Sequence, residues 1–288
     1  MMTAIIQNFK NYLYQLGYCT KTQKSVSVLV QEFLEHQNIT DISYIEQQEL
    51  RSFFEYLPTR PLQRRSGALS EATIHRYIFA LKVFFSWMER TEQINYNPIS
   101  GMRFKQPKKN ARQPLSTPEI QQLFMAATTL QQQAVLHLFY SCGLRRGEGE
   151  DLNIADIHFK DQLLYVRAGK GNKRRVIPLT KKVAEDLEQY YLQDRCGHLM
   201  QVKDVEAFML NNRGTRMKAY NFMKLLQQLT CKASLPKEIS LHHLRHSIAT
   251  HLLQGGMAVE YVKDFLGHSC LVTTHIYAKP RPSDVQLL

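Results

Sequence analysis

The chain has 288 residues, enough for two domains that each bury a hydrophobic core. Its 37 Lys and Arg against 25 Asp and Glu leave a net charge of +12, which favours a polyanion as partner, either nucleic acid or an anionic membrane surface. Since there is no 18-residue apolar run and no signal-peptide core, we expect a soluble, internal protein.

The positive charge is spread along the chain. Residues 1–110 carry 14 basic and 9 acidic side chains, a net +5, and the remainder carries 23 and 16, a net +7. Both halves are therefore expected to contact the polyanion. The five cysteines are an odd number and form no CxxC pair, which favours a reducing cytosol over a disulfide scaffold.

Residues 1–97 are predicted to form a helical domain. Apolar residues recur at helical spacing from Val26 to Leu34 and from Ile45 to Leu57, and Ser70 is expected to cap a third helix that reaches Trp87. The aromatic residues of that helix are assigned to core packing. The basic loop 58–67 lies between the second and third helices. Its Arg64 and Arg65 are either phosphate contacts or merely solvated.

Residues 98–113 are predicted to be an extended linker. Prolines and a glycine punctuate the segment, and its charged side chains are all basic, among them Lys105, Lys108 and Lys109. These lysines are candidates to cross a phosphate backbone if both flanking domains bind one duplex. The alternative is a linker that only aids solubility.

Residues 114–288 are predicted to form a second domain that is mainly helical. Ser116 and Glu119 form a capping-box pattern with Pro118 at the first helical position. Further helices are expected at 131–142, 181–193, 218–231, 242–253 and 258–265. Strand-like runs at 163–166 and 175–179 flank a glycine-rich basic tip, which indicates a β-hairpin. The expected fold class is therefore mainly α with a small β-hairpin (α+β).

An arginine follows a glycine at the end of the helix expected at 131–142. Gly143 should stop that helix, and we expect the next one to begin near Glu148. Arg145 at this junction can point a bidentate guanidinium beyond the helix ends. A surface salt bridge from Arg145 to Glu148 or Glu150 is the alternative.

The hairpin tip, residues 169–173, does not match a nucleotide-binding phosphate loop, because it lacks GxxxxGK[ST] and joins two strands. Lys170 on such a finger could reach into a groove and deliver a proton to a leaving oxygen. Lys173 and Arg174 add positive charge beside it.

The last fifth of the chain concentrates polar chemistry. His242 and Arg245 are three residues apart on one predicted helix and so face the same way, suited to donate to a phosphate. A metal site is the weaker interpretation, because no acidic residue replaces the Glu of an HExxH pattern. His268 follows a helix-ending Gly267, and Tyr277 comes nine residues later as a possible nucleophile.

These motifs, in this order, resemble the tyrosine recombinase (integrase) family, particularly its bacterial Xer-like branch. The resemblance implies a two-domain DNA clamp: a helical core-binding domain (1–97), a basic linker (98–113) and a catalytic domain (114–288). It implies that Arg145 and Arg245 clamp the scissile phosphate, that Lys170 protonates the 5′-oxygen, that His242 and His268 complete the pocket and that Tyr277 attacks phosphorus.

The resemblance also implies the partners. These are double-stranded DNA with inverted half-sites and a homo-oligomer (a dimer on one site and a tetramer in synapsis), with no membrane partner. The need for a partner recombinase or directionality factor is left open. No cofactor, metal ion or ATP is implied, and the location is the cytoplasm, with the nucleoid. A relaxing topoisomerase of the type IB kind and a catalytically silent DNA-binding accessory protein are the alternative functions.

The sequence departs from the family pattern at three places. His243 stands where an acidic residue is common, Gly147 and Gly149 replace a small polar and an apolar residue, and only 11 residues follow Tyr277. The mode of subunit exchange is therefore left open.

Overall fold

The computed structural model describes residues 2–39, 41–61, 67–107, 113–167, 174–195, 203–236 and 238–267. The chain divides into two compact units, Met1–Asn110 and Ala111–Leu288. Within the described ranges, no helix has both the length and the apolar character that crossing a bilayer would require.

The first unit is helical. Its helices are α1 (Met2–Gln15), α2 (Thr20–His36), α3 (Gln47–Tyr56) and α4 (Glu71–Arg90), with a 3₁₀ turn at Ile42–Tyr44. Ser70 caps α4 as predicted, since its hydroxyl accepts a hydrogen bond from the Thr73 N–H. Helix α1 was not singled out in the sequence, although its residues lie in the range expected to be helical.

Aromatic side chains form the centre of this unit, as expected from their helical spacing. Phe9 packs edge-on against Phe84 with ring centroids 5.2 Å apart, and Phe33 packs in the same way against Phe53. Ile99 and Phe104, from the predicted linker, belong to the same cluster or pack against it. Burial of these rings, together with the aliphatic residues of the same cluster, stabilises the unit.

The second unit contains seven helices among its described residues. They are α5 (Thr117–Ala126), α6 (Leu130–Leu136), α7 (Arg146–Asp151), α8 (Lys181–Gln189), α9 (Ala219–Lys232), α10 (Leu241–Gln254) and α11 (Val259–Leu266). Single π-helical segments continue α6 (His137–Ser141) and α8 (Tyr190–Arg195). The predicted capping box is confirmed: the Ser116 N–H donates to Glu119 Oε2 at 2.7 Å.

A three-stranded antiparallel sheet completes the unit, in the order β1 (Ile157–His158), β2 (Leu163–Val166) and β3 (Arg175–Pro178). The register pairs Leu164 with Ile157 on one side and with Ile177 on the other. The predicted hairpin is present. Strand β1 was not predicted, because two residues are too few to show the alternation of a strand. The expected fold class, mainly α with a small antiparallel sheet, is confirmed.

Helix α7 differs from the prediction. It begins at Arg146, two residues before the expected start near Glu148, because the Glu148 carboxylate reaches back to accept the Arg145 N–H at 2.7 Å. Close packing explains the glycine at position 149, because a Cβ there would lie 2.6 Å from the Phe139 ring. Gly147 has open space around it.

Candidate active site

A cavity of about 450 Å³ lies in the second unit between the start of α7 and the start of α10. Arg145, His242 and Arg245 all line it, together with Ser240, Leu241 and Met223. Three of the six side chains that the sequence singled out for catalysis therefore meet at one place, although Arg145 and Arg245 are a hundred residues apart.

Arg145 occupies the N-cap position of α7, with extended backbone angles. Its Nη1 donates to Glu148 Oε1 at 2.8 Å and its Nη2 to the Gly267 carbonyl at 2.7 Å. A quarter of the side chain remains exposed. Because each terminal guanidinium nitrogen carries two N–H bonds, these contacts orient Arg145 and leave donors for a ligand in the cavity.

The turn before Arg145 requires glycine. Gly143 has φ +56°, the left-handed region, and a Cβ there would lie 2.9 Å from Leu266 Cδ2. Its carbonyl accepts a hydrogen bond from Arg245 Nη1. The glycine thus ends the preceding helix and brings its backbone against α10 and α11.

Glu148 is a buried counter-ion for several arginines. Its side chain is only 4% exposed, and it forms ion pairs with Arg145 and, through two hydrogen bonds of 2.9 and 2.8 Å, with Arg175. Arg245 Nη1 lies 4.0 Å from Glu148 Oε2. Burial alone would raise the pKa of Glu148, but the hydrogen bonds and charge of Arg175 and the contacts with Arg145 outweigh it and lower this pKa to about 2.

The salt bridge from Arg145 to Glu148, considered as an alternative to a functional role, therefore exists but is not a surface pair. It orients an arginine that also lines the cavity. The surface pair at this helix is Arg146 with Glu150, at 3.8 Å.

Helix α10 presents His242 and Arg245 to the cavity, as the i,i+3 spacing predicts. His242 is exposed, whereas Arg245 is 3% exposed. His243 takes the place of an acidic cap: its Nδ1 accepts the Ser240 N–H at 3.0 Å. This contact explains how a histidine at position 243 serves the start of α10.

The carboxyl end of α11 completes the site. The carbonyls of Phe265, Leu266 and Gly267 accept hydrogen bonds from Arg175 Nε (2.9 Å), Arg245 Nη2 (2.6 Å) and Arg145 Nη2 (2.7 Å), respectively. Gly267 ends the helix in the left-handed conformation, φ +63°, as its position in the sequence predicts.

The remaining predicted site residues divide into two groups. Lys105 and Arg174 are exposed, and the Lys105 carbonyl lies 2.6 Å from His75 Nε2. Eight others lie outside the described residues, so their predicted roles stay predictions: Lys170, His268 and Tyr277 of the catalytic set, and Arg64, Arg65, Lys108, Lys109 and Lys173 of the DNA contacts. Among the residues that the structure does describe, no group of three or more His, Cys, Asp or Glu is arranged to hold a metal ion.

Sequence reasoning missed Arg175 as a site residue. The signal was available, because alternation along β3 places Arg175 on the same face as the buried Ile177. An arginine on the inward face of a strand needs a buried acceptor. Glu148 is that acceptor.

A basic groove in the first unit was also missed. Lys21 and Ser25 of α2 and Arg76 and Phe79 of α4 line a cavity of about 340 Å³. Arg76 Nη2 donates to Ser25 Oγ at 2.6 Å, and the Phe79 side chain is exposed. Positive charge beside an exposed aromatic ring suits a nucleic-acid surface.

Comparison with known proteins identifies relatives of the whole chain. Residues 113–283 match the model of the phage integrase family. A tyrosine recombinase of Pseudothermotoga lettingae is 31% identical, with 96% of this chain and 93% of that protein aligned. The tyrosine recombinase XerD of Oceanobacillus iheyensis is 35% identical over 72% of this chain and 71% of its own length.

Among solved structures, the Tn1549 transposon integrase in complex with circular intermediate DNA is similar to this chain. The TM-score is 0.74 with 19% identity, and the match covers 97% of this chain and 96% of that one. At this identity the likeness supports the fold.

Proposed function

This chain belongs to the phage integrase family and is a tyrosine recombinase, and we propose that it cuts and rejoins DNA at specific sites through a covalent 3′-phosphotyrosyl intermediate. The observation that carries the proposal is the convergence of Arg145, His242 and Arg245 on one cavity. Separate motifs of the sequence meet there in a cationic site of the kind that phosphoryl transfer requires.

The two arginines would bind the non-bridging oxygens of the scissile phosphate. Phosphoryl transfer depends chiefly on positioning and on stabilising charge as it develops. Arginine suits both needs, because its planar fork matches two phosphate oxygens and keeps its charge at any physiological pH. Removing one such donor is expected to cost about 3–4 kcal/mol of transition-state stabilisation.

We propose the remaining roles from the family resemblance. The Tyr277 phenol loses its proton to water as its oxygen attacks phosphorus, the bond from phosphorus to the 5′-oxygen breaks, and Lys170 supplies the proton that the leaving oxygen takes up. His242 and His268 donate to the phosphate. Because the phosphotyrosyl bond conserves the energy of the broken bond, no ATP is needed to reseal the strand. The cationic side chains would stabilise the charge that a metal ion stabilises in other phosphoryl-transfer enzymes.

Double-stranded DNA is the proposed substrate, held by a clamp of the core-binding domain 1–97, the linker 98–113 and the catalytic domain 114–288. Support comes from the positive charge of both halves and from the groove at Lys21 and Arg76. We propose inverted half-sites, a dimer on each site and a tetramer in synapsis, in the cytoplasm. Integration or excision of a mobile element and resolution of chromosome dimers are both compatible roles.

The test uses nicked duplexes drawn from the chain's own genomic neighbourhood, on which a covalent complex is trapped. We expect the wild type to form a denaturant-resistant protein–DNA complex. Tyr277→Phe should bind the same duplex with unchanged affinity and form none, because the ring lacks the attacking oxygen. Tyr261→Phe, at an exposed tyrosine of α11, is the matched control and should behave as the wild type. An undiminished covalent yield in Tyr277→Phe would remove that residue from the role.

A further inference from the structure

We propose that Arg175 is a positioning residue for the cleavage step: it holds the two phosphate-binding arginines against the end of α11, directly before the segment that carries His268 and Tyr277. The inference rests on the proposed function, because it concerns the rate at which the covalent complex forms. It assigns a role to a side chain that none of the sequence motifs singled out.

The contacts at the end of α11 form an ordered row. Three successive carbonyls, of Phe265, Leu266 and Gly267, each accept from a different arginine: Arg175, Arg245 and Arg145. These carbonyls have no partner within the helix, and they form the negative end of its dipole. Three cations from three different elements therefore converge on one helix end.

Glu148 connects the same arginines on their other side. Its two oxygens accept two hydrogen bonds from Arg175 and one from the Arg145 side chain, and one oxygen lies 4.0 Å from Arg245 Nη1. A buried carboxylate that lost the Arg175 fork would be left with unmet acceptors. It would satisfy them by drawing Arg145 and Arg245 toward itself and away from the cavity.

Arg175 itself does not reach the substrate site. It is absent from the residues that line the cavity, and its side chain is only 7% exposed. Its guanidinium packs on Gly267, where a Cβ would lie 3.0 Å from Arg175 Cδ and 3.1 Å from Nη1. Any effect of Arg175 on the reaction must therefore pass through the groups it holds.

The geometry also explains why arginine, not lysine, stands here. A lysine keeps the charge, but a single ammonium nitrogen cannot span both Glu148 oxygens and the Phe265 carbonyl, as the guanidinium does. We therefore expect Arg175→Lys to restore part of the rate that Arg175→Gln loses.

The experiment measures the first-order rate of covalent complex formation on a nicked duplex at saturating DNA, together with the DNA dissociation constant and the melting temperature. Arg175→Gln should lower the rate about 100-fold, because a displacement on the order of 1 Å at the reacting groups has that effect. Its dissociation constant should stay within about threefold of the wild type, since DNA affinity is dominated by phosphate contacts elsewhere.

Arg195→Gln is the matched control. Arg195 is a buried arginine of the same unit, 4% exposed, that also donates to backbone carbonyls, those of Ala207 and Val205 among them, and it does not line the catalytic cavity. It should lower the melting temperature as Arg175→Gln does, yet leave the rate at saturating DNA unchanged when assayed below the melting transition. This control distinguishes a rate loss caused by lower stability from one caused by displacement of Arg145 and Arg245.

A double-mutant cycle with Arg145→Gln gives the decisive readout. If Arg175 acts through the two arginines, the double variant should be faster than the product of the two single penalties predicts. The part of the Arg175 effect that passes through Arg145 is already lost in Arg145→Gln, and only the part that passes through Arg245 remains. The proposal would be overturned if the rate reduction of the double variant equalled the product of the two single reductions. It would also be overturned if a folded Arg175→Gln variant kept the wild-type rate. If Arg175→Gln does not fold, Arg175→Lys is judged by the same criteria.

A wild type that forms no covalent complex overturns the proposed function and this inference with it, whereas a normal wild type with an unaffected Arg175 variant overturns only the inference.

Discussion

At the scale of single residues, the site depends on a carboxylate, although a negative charge by itself would repel a bound phosphate. Glu148 is buried among arginines that are proposed to bind an anion. Its negative charge lets several guanidinium groups share a small volume in which they would otherwise repel one another. The geometry of the cationic site thus depends on one acidic side chain.

The pH dependence of stability should report this carboxylate. Because the pKa of Glu148 is depressed to about 2 in the folded state, its contribution is present above its ordinary value of 4.5 and is lost as the pH falls from there toward 2. The shift corresponds to about 3 kcal/mol. We expect the melting temperature of Glu148→Gln to be lower at pH 7 and to fall less between pH 5 and 3 than that of the wild type, as measured by calorimetry.

Glu150→Gln is the control for that experiment. Glu150 forms a long pair of 3.8 Å with Arg146, whose side chain is exposed, and such surface pairs contribute little to stability. Its melting temperature should follow the wild-type curve over the same pH range. If Glu148→Gln also followed the wild-type curve, the Glu148 carboxylate would not be held in its charged form by the arginines.

At the scale of elements, the short helix α7 owes its position to close packing. Six residues are too few to form a stable helix alone, so Arg146–Asp151 depends on tertiary contacts. Gly149 lies against the buried ring of Phe139, which in turn packs edge-on against Phe222 at 5.0 Å. The helix that carries Glu148 therefore approaches the core as closely as a glycine permits.

Two glycine substitutions test this packing with the same chemical change. Gly149→Ala would place a methyl group 2.6 Å from Phe139 and should destabilise the protein by about 1–3 kcal/mol through overpacking. Gly147→Ala meets no atom within 4 Å, and a helical alanine should be neutral or stabilising by up to about 1 kcal/mol. Thermal or urea unfolding would measure both, and equal effects would contradict the packing argument.

At the scale of the whole molecule, both units carry a net positive charge, which favours a polyanionic partner. Residues 1–110 carry a net +5 and the remainder a net +7, so basic side chains are in excess in both halves of the chain. Among the described residues of the first unit, Lys21 and Arg76 line one groove beside the exposed Phe79. If this groove contacts DNA as proposed, its basic side chains would bind phosphates, and phosphate contacts fix the register of a protein on DNA and supply most of its affinity.

DNA affinity should therefore fall steeply with salt. For six to ten phosphate contacts, binding is expected to weaken by about 10³–10⁵ between 50 and 200 mM salt. Arg76→Gln should reduce the slope of log affinity against log salt by about 1. Arg90→Gln, fourteen residues further along α4 and about 21 Å away, should leave it unchanged. Fluorescence anisotropy measures both, and an unaltered slope in Arg76→Gln would exclude that groove as a DNA contact.

The sequence by itself determined the features that depend on neighbouring residues. Cap residues such as Ser70 and Ser116, the helix-ending glycines 143 and 267, and the helical spacing of His242 and Arg245 all act within one turn, so the structure confirms them. The order of the motifs was sufficient to identify the family. For residues 268–288 and the hairpin tip, the predicted chemistry stays a prediction.

Only the tertiary structure decided how the site is held together. The contacts that do this join different elements of the unit. Gly143 contacts Leu266, Phe139 requires a glycine at position 149, and Arg175 connects β3 with α7 and α11. Hydrophobic periodicity reports which face of an element is buried, but not what lies opposite that face. The partners of buried charges are chosen when the elements pack, and for that reason the pairing of Glu148 with Arg175 became visible only in the folded unit.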